Sequence, residues 1–297
     1  MMDQNIASGV QSGNERYSRI IESIDSLPSL PSIVMKLMQV VNSPDTSAED
    51  AAELIERDPA LTSKMIRLAN SAFYGIPRSI SSVSSAVVIL GFNTIRSLVL
   101  SATVVQMFEG VKQSVDTDRF WKHSIVTAMT AKTIVRHFMS VRMMDPESAF
   151  CAGILHDIGK LIFSQYTPDD YQSVYEYARD NSVPLVTAEE TVMGINHAQV
   201  GKILADRWAL PIDLEYCLIH HHSPENADKV DDLVNIIHLS NIISHQLGCD
   251  LWEGEVTSAE NEQCREVLKI KDDDFNRITA KMAESLDKSD EFMSVIK

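Results

Sequence analysis

The residues able to do chemistry crowd into one part of the chain. His156 and Asp157 are adjacent, within Gly153-Ile154-Leu155-His156-Asp157-Ile158-Gly159-Lys160. Imidazole nitrogen with carboxylate oxygen is a mixed donor set that first-row divalent metals accept. On a helix, neighbouring side chains point about 100° apart, so a cation lying between these two is within reach of both. The flanking Ile154, Leu155, Ile158, Leu161 and Ile162 are apolar and drive the pair into a core. A buried carboxylate or imidazole without a partner is costly. A cation or a hydrogen-bonded cluster must therefore satisfy it.

Partners for such a pair follow at intervals. All nine histidines of the 297-residue chain fall between His123 and His245. His123 stands beside Trp121 and Ile125, and His197 opens a segment with Val200, Gly201 and Leu204 inward. His220, His221 and His222 follow Leu218-Ile219, and His238 and Asn241 are one turn apart. Taken singly, each reads more readily as a hydrogen-bonded core histidine than as a ligand. Placed on successive helices around a His-Asp pair, they read together as a metal constellation. The triple histidine has a second reading, a helix end where protonated imidazole suits the dipole. His137 and His245 read as surface or rim residues. Lys160 either stabilises an oxyanion or pairs with an acidic neighbour.

The elements that must position these groups read as helix after helix. Leu27-Pro28-Ser29-Leu30-Pro31 breaks the chain, and Ser32 is placed to cap a helix carrying Ile33, Leu37, Val40 and Val41. Ser47 with Asp50 forms a capping-box pattern, and Asp58-Pro59 pairs an N-cap carboxylate with proline at the first helical position. Leu61, Met65, Leu68 and Ala69 then share a face. Gly91 stops a helix, and Asn93 caps the next, which carries Ile95, Leu98, Val99, Ala102 and Val105. Beyond a polar connector from Gly110 to Asp118, helices are expected over 120–137, 146–163, 168–181, 188–193, 197–208, 212–220 and 231–247. Thr257 with Glu260 suggests another capping box. Asp274 is expected to cap a last helix with Phe275, Ile278, Met282 and Leu286 inward. No period-2 pattern of any length interrupts this as far as residue 110, so the fold class is all-α. The expected organisation is a disordered leader over 1–16, a helical lobe over 17–112, a His-rich helical domain over 113–250, and C-terminal helices over 251–297 packed on the core.

Composition excludes several classes. Gly (11) and Pro (10) together are about 7% of the chain, which favours long helices over a turn-rich barrel. A formal charge of −16 opposes a nucleic-acid tracker, which needs a Lys/Arg face. The most apolar stretch, 86–108, is interrupted by Asn93, Thr94 and Arg96 and is too polar to span a bilayer. The N-terminus lacks a signal-peptide core, and Cys151, Cys217, Cys249 and Cys264 show no paired spacing. Reduced, buried thiols and a cytoplasmic location are expected.

Three motifs carry a resemblance to a known family. The first runs from Asp58-Pro59-Ala60-Leu61 through Arg67-Leu68-Ala69-Asn70-Ser71-Ala72-Phe73-Tyr74-Gly75 to Ser82-Val83-Ser84-Ser85-Ala86-Val87 and Leu90-Gly91. The second is the Gly153–Lys160 segment, and the third is His221-His222-Ser223-Pro224. Over roughly residues 20–245 the chain resembles HDOD proteins, bacterial signalling modules related to the HD and HD-GYP phosphohydrolases. The resemblance implies a multi-helix HD-type bundle with an N-terminal helical lobe and a role in two-component or cyclic-nucleotide signalling. It also implies a signalling protein as partner, with a nucleotide or other phosphate-containing ligand as a further expectation.

In the related HD-GYP enzymes two or three metals, usually iron or manganese, support cyclic di-GMP hydrolysis. By resemblance, His123, His156, Asp157, His197, His221 and His222 match ligand positions, while Asn241 stands where the final aspartate ligand is expected. Arg119 stands where some relatives have a glutamate, and Ser223-Pro224-Glu225-Asn226 replaces the GYP segment. Asparagine for aspartate removes one negative charge from a site that must offset two cations. A site centred on Asp157, His197, His221 and His222 is expected to keep a metal, with the position needing Asn241 weak or vacant. The reading is a regulatory output protein with a degenerate metal site and no cyclic di-GMP phosphodiesterase activity. An active metal-dependent phosphohydrolase, with Lys160 stabilising developing charge, is the alternative. Oxidative di-iron chemistry on the same scaffold is a third, which no residue selects.

Overall fold

The computed structural model describes residue 22 and residues 29–40, 48–110, 114–138, 144–227, 232–258 and 262–296. The expected leader, Ser47 of the first capping box and Glu260 of the second lie outside the described residues. Among those described, every regular element is a helix, and the fold is an all-helical HD-type bundle with an N-terminal helical lobe.

The lobe contains α1 (Ser32–Val40), α2 (Ala48–Glu56), α3 (Pro59–Ala69), α4 (Val83–Leu90) and α5 (Phe92–Met107). Asp58 caps α3 as its sequence requires: its carboxylate accepts from the Ala60 and Leu61 amides at 2.9 and 3.0 Å. Leu61, Met65, Leu68 and Ala69 are buried on one face. Gly91 ends α4 at φ 85°, a left-handed value that glycine adopts without steric cost. Asn93 does not cap α5. The helix starts two residues earlier, with Gly91 at the cap position and no side-chain cap, because the two helices meet at that glycine.

The bundle is built on α6 (Thr117–Phe138), which packs against α7 (Pro146–Leu155) and α13 (Asp232–Gln246). Asp116 caps α6 by accepting from the Asp118 and Arg119 amides, so the helix begins within the expected connector. Gly153 lets α6 and α7 approach closely, since a Cβ there would collide with the Ala128 backbone. Helix α13 is buried on every side from Leu233 to Ser244, as a central helix must be. Around these stand α8 (Ile158–Tyr166), α9 (Pro168–Asn181), α10 (Leu185–Met193), α11 (His197–Trp208), α12 (Ile212–His220) and α14 (Glu262–Leu268).

Two differences from the sequence reading matter. The expected single helix over 146–163 is broken into α7 and α8 at His156-Asp157, where Asp157 leaves helical geometry at φ −100°, ψ 7°. Asp274 caps nothing as a first residue: it sits inside the first turn of α15 (Asp272–Ala283) and accepts from the Lys271 amide at 3.4 Å. Nor is α15 the last helix, since Leu286 opens α16 (Leu286–Ile296). Helix α16 packs on both α3 and α6. Its Phe292 is fully buried, with ring centroids 5.1 Å from Phe73 and 5.6 Å from Phe150. The four cysteines are buried and form no disulfide among the described residues.

Candidate metal centre

Asp157 stands at the middle of the histidine cluster because the chain breaks there. Just beyond the break, Gly159 accepts the close approach of α11, and a Cβ at this position would collide with the His197 carbonyl. A capping box fixes the start of α11. Asn196 accepts from the Gln199 amide at 3.0 Å, and Gln199 Oε1 accepts from the Asn196 amide at 2.9 Å. His197 is therefore held as the first residue of a helix. His221 and His222 follow α12, and His123 comes from α6.

These elements bring the imidazoles to the two edges of one carboxylate. Asp157 Oδ1 lies 3.2 Å from His197 Nε2 and 3.4 Å from His221 Nε2. Asp157 Oδ2 lies 3.3 Å from His156 Nε2 and 3.5 Å from His123 Nε2. His222 Nε2 is 2.9 Å from His197 Nε2. Two ligand sets result, one of Asp157, His197, His221 and His222, the other of His123, His156 and Asp157. Lys160 donates to Asp157 Oδ2 at 2.7 Å, so it pairs with its acidic neighbour three residues back.

The far side of each ring is already committed. His123 Nδ1 donates to the Cys249 carbonyl at 2.9 Å, His156 Nδ1 to Gly153 at 2.8 Å, and His221 Nδ1 to Cys217 at 3.0 Å. A main-chain carbonyl only accepts, so in the neutral rings of His123 and His221 the proton is on Nδ1 and the Nε2 lone pair faces the cluster. His123 Nε2 and His156 Nε2 face each other across 3.3 Å, close enough to share one cation. Asp157 Oδ1 and Asn241 Oδ1 are buried with no hydrogen-bond donor. Converging nitrogen lone pairs and unsatisfied oxygens fit a divalent ion, and rings oriented by carbonyls are the usual support for metal ligands.

The electrostatics follow from burial. It holds His123 and His222 well below the ordinary imidazole range and pushes His221 down to about 3. Burial is the largest influence on His197 and acts in the same direction, but the Glu189 and Asp157 carboxylates together outweigh it and the net shift is upward. Burial alone would raise Asp157; His156 and Lys160 beside it reverse the sign and hold the carboxyl well below its usual range.

Asn241 lies on α13 and shares a cavity wall with Lys160, His197 and His222. That cavity is about 10 Å³, room for about one water. Glu255 and Ser258 close it, and Ser258 Oγ is 3.2 Å from His222 Nδ1. Arg119 brings no charge to the site: it is half exposed and faces Asp116 at 3.7 Å. His238 supports the site from behind, donating from Nδ1 to the His221 carbonyl at 2.8 Å. His245 is at the rim, 2.7 Å from Asp250, with its ring centroid 4.7 Å from that of His123. His220 is half-buried beside Tyr216, and His137 is exposed far from the cluster.

Glu189 was not singled out by the sequence reading. It is fully buried on α10. Its Oε2 accepts from both the amide and Nδ1 of His197, at 2.9 and 2.6 Å, while Tyr171 donates to Oε1 at 2.8 Å. A signal existed: Glu189 is four residues from both Leu185 and Met193, and so on the apolar face of α10.

A helical bundle with histidines gathered about one aspartate defines an HD-type domain. The chain belongs to the HDOD domain family, whose sequence model matches residues 27–224. The "Putative phosphohydrolase" of Shewanella amazonensis SB2B is 25% identical, with a TM-score of 0.75 over 94% of this chain and 98% of that one. The "Putative signal transduction protein" of Marinobacter aquaeolei VT8 is 17% identical, with a TM-score of 0.78 over 96% of this chain and 66% of that one. A curated relative from Treponema pallidum (strain Nichols) is 25% identical over 212 residues, 70% of this chain. The chain spans 40% of that relative's length.

Proposed function

We propose that this protein is a signalling output module that holds one divalent cation through Asp157, His197, His221 and His222 and does not hydrolyse cyclic di-GMP. His123 and His156, at the other edge of Asp157, form a weaker neighbouring position. The observation that carries this reading is the Lys160 ammonium, 2.7 Å from Asp157 Oδ2. A carboxylate bridging two metals needs both oxygens, and here a fixed cation already engages one. Oδ1, facing His197 and His221, has no hydrogen-bond donor. Neutral Asn241 cannot supply the negative charge a second ion would require. Imidazole with one carboxylate suits iron or manganese among the divalent metals available to such sites. A cation bound there supplies Lewis acidity and lowers the pKa of a bound water. The small cavity beside it, about 10 Å³, supports a reading without turnover of a dinucleotide.

Membership of the HDOD family and a fold shared with the Marinobacter protein support a signalling role, with another signalling protein as the partner. No helix among the described residues is long and apolar enough to cross a membrane.

A second reading, a metal-dependent phosphohydrolase, is favoured by the two ligand sets around Asp157 and by Lys160 in the cavity wall. One experiment separates the two. Protein purified without chelator should carry about one metal per chain, lose it in His197→Ala and keep it in His123→Ala, with no turnover of cyclic di-GMP. Two metals per chain with manganese- or iron-dependent hydrolysis would establish the second reading instead. Equal metal content in wild type and His197→Ala would overturn both. Asn241→Asp should raise occupancy of the weaker position.

A further inference from the structure

Away from the histidine cluster, a cavity of about 370 Å³ opens where α4, α6 and α15 meet. The charge around it contradicts the charge of the whole chain. Lys132, Arg136, His137, Lys281 and Lys288 line it, and no acidic side chain does, in a protein of formal charge −16. Lys132 forms the floor. It is 5% exposed, lies 5.2 to 5.3 Å from the ring centroids of Phe73, Tyr74 and Phe150, and is held from behind by Glu147 at 2.7 Å. Arg136 reaches the same carboxylate only at 3.5 Å and is about half exposed. Among the described residues no acid forms an ion pair with Lys281; it donates to His137 Nε2 at 2.7 Å. His137 accepts in this bond and is neutral, so the positive charge facing the cavity there is that of Lys281 itself.

The other walls are apolar: Phe73, Ile89, Met129 and Met282. Ile89 is 52% exposed, an unusual place for a large aliphatic side chain beside so many charges. The Tyr74 hydroxyl, also in the wall, is buried with no hydrogen-bond partner. A cationic rim, an apolar wall, an unsatisfied hydroxyl and a volume in the small-ligand range describe one chemical class. We propose that this cavity binds a mononucleotide, its phosphate against Arg136, Lys281 and Lys288 and its base against the Phe73, Met129 and Met282 wall. The ligand would touch the N-terminal lobe through α4 and the C-terminal region through α15 and α16. This site is separate from the metal centre, and its existence does not depend on the function proposed above.

Calorimetric titration of chelator-treated protein in divalent-free buffer tests it, with AMP, GMP and inorganic phosphate as the three titrants. At least one nucleotide should bind saturably at one per chain, about ten-fold or more tighter than inorganic phosphate. The double variant Lys281→Glu/Lys288→Glu changes exposed residues only. It should keep the unfolding temperature of the ligand-free protein and weaken nucleotide binding by about ten-fold or more, as expected for lost charge-assisted contacts. Absence of saturable nucleotide binding overturns the proposal. So does phosphate binding as tight as nucleotide binding, or nucleotide affinity unchanged in the double variant. The chelator keeps the metal centre out of the result, so failure here leaves the metal reading untouched.

Discussion

Glu189 is bound to His197 twice, through the ring and through the amide, and so fixes both the tautomer and the position of a candidate ligand. Glu189→Gln keeps the size but removes the charge, and should lower metal affinity by about 10–100-fold; equilibrium dialysis against the metal checks this, and unchanged affinity would contradict it. Acid sensitivity belongs to the same scale. Burial holds His123 and His222 below the ordinary imidazole value of 6.5, and His221 down to about 3. Below about pH 6.5 the unfolded chain takes up protons that these folded rings refuse, so stability falls as pH falls towards about 3. His197, shifted upward, works in the opposite sense, but it is one ring against three. The unfolding temperature of metal-stripped protein should therefore drop between pH 7 and pH 5; a flat or rising profile would refute the sign. The histidines were legible in the sequence because each interrupts an apolar helical face. Glu189 was harder to see, since Glu190 beside it is just as acidic and only the helix face separates the buried carboxylate from the exposed one.

At the scale of elements, the decisive feature is the break between α7 and α8. Apolar periodicity runs unbroken from Phe150 to Phe163, so nothing local marks His156-Asp157 as an interruption. The cause is tertiary: His156 turns its Nδ1 back to Gly153, and Gly159 takes the His197 backbone against its bare Cα. Helix limits set by local chemistry were legible, as with the Asp58 cap and the spans of α9, α11 and α12. The separation of α15 from α16 was not, because Glu284-Ser285 contains neither glycine nor proline. The contact at Gly159 gives a direct test. Gly159→Ala should push α11 away, costing about 1–3 kcal/mol of stability by overpacking and weakening metal binding with it. Calorimetric unfolding with metal analysis reads both, and a variant as stable and as metal-loaded as wild type would show that the two helices have slack.

For the whole molecule, the chain folds so that its two ends of interest lie far apart in chemistry. The histidine cluster is buried and built on one carboxylate, while the cavity at α4, α6 and α15 is cationic and open. The net charge of −16 was legible from composition, but not the segregation of five basic side chains onto one cavity, since Lys132 and Lys288 are 156 positions apart in sequence. Helix α16 ties the lobe to the bundle through Phe292, which meets Phe73 of the lobe and Phe150 of α7.

The segment from Cys249 to Ser258 lies over the candidate metal centre and is bonded to it at both ends, through the Cys249 carbonyl to His123 and through Ser258 to His222. Its consequence is kinetic. An ion beneath such a cover can leave only when the segment opens, so local unfolding sets the pace of exchange, however weak the ligands are. Removal of the metal by a chelator should speed up with chelator concentration at first and then level off at the opening rate. Stopped-flow or timed metal analysis would show that plateau, and a rate that keeps rising in proportion to chelator would mean the cover is no barrier. Occupancy of this site is thus expected to reflect the history of the molecule over its opening time, rather than the metal concentration of the moment.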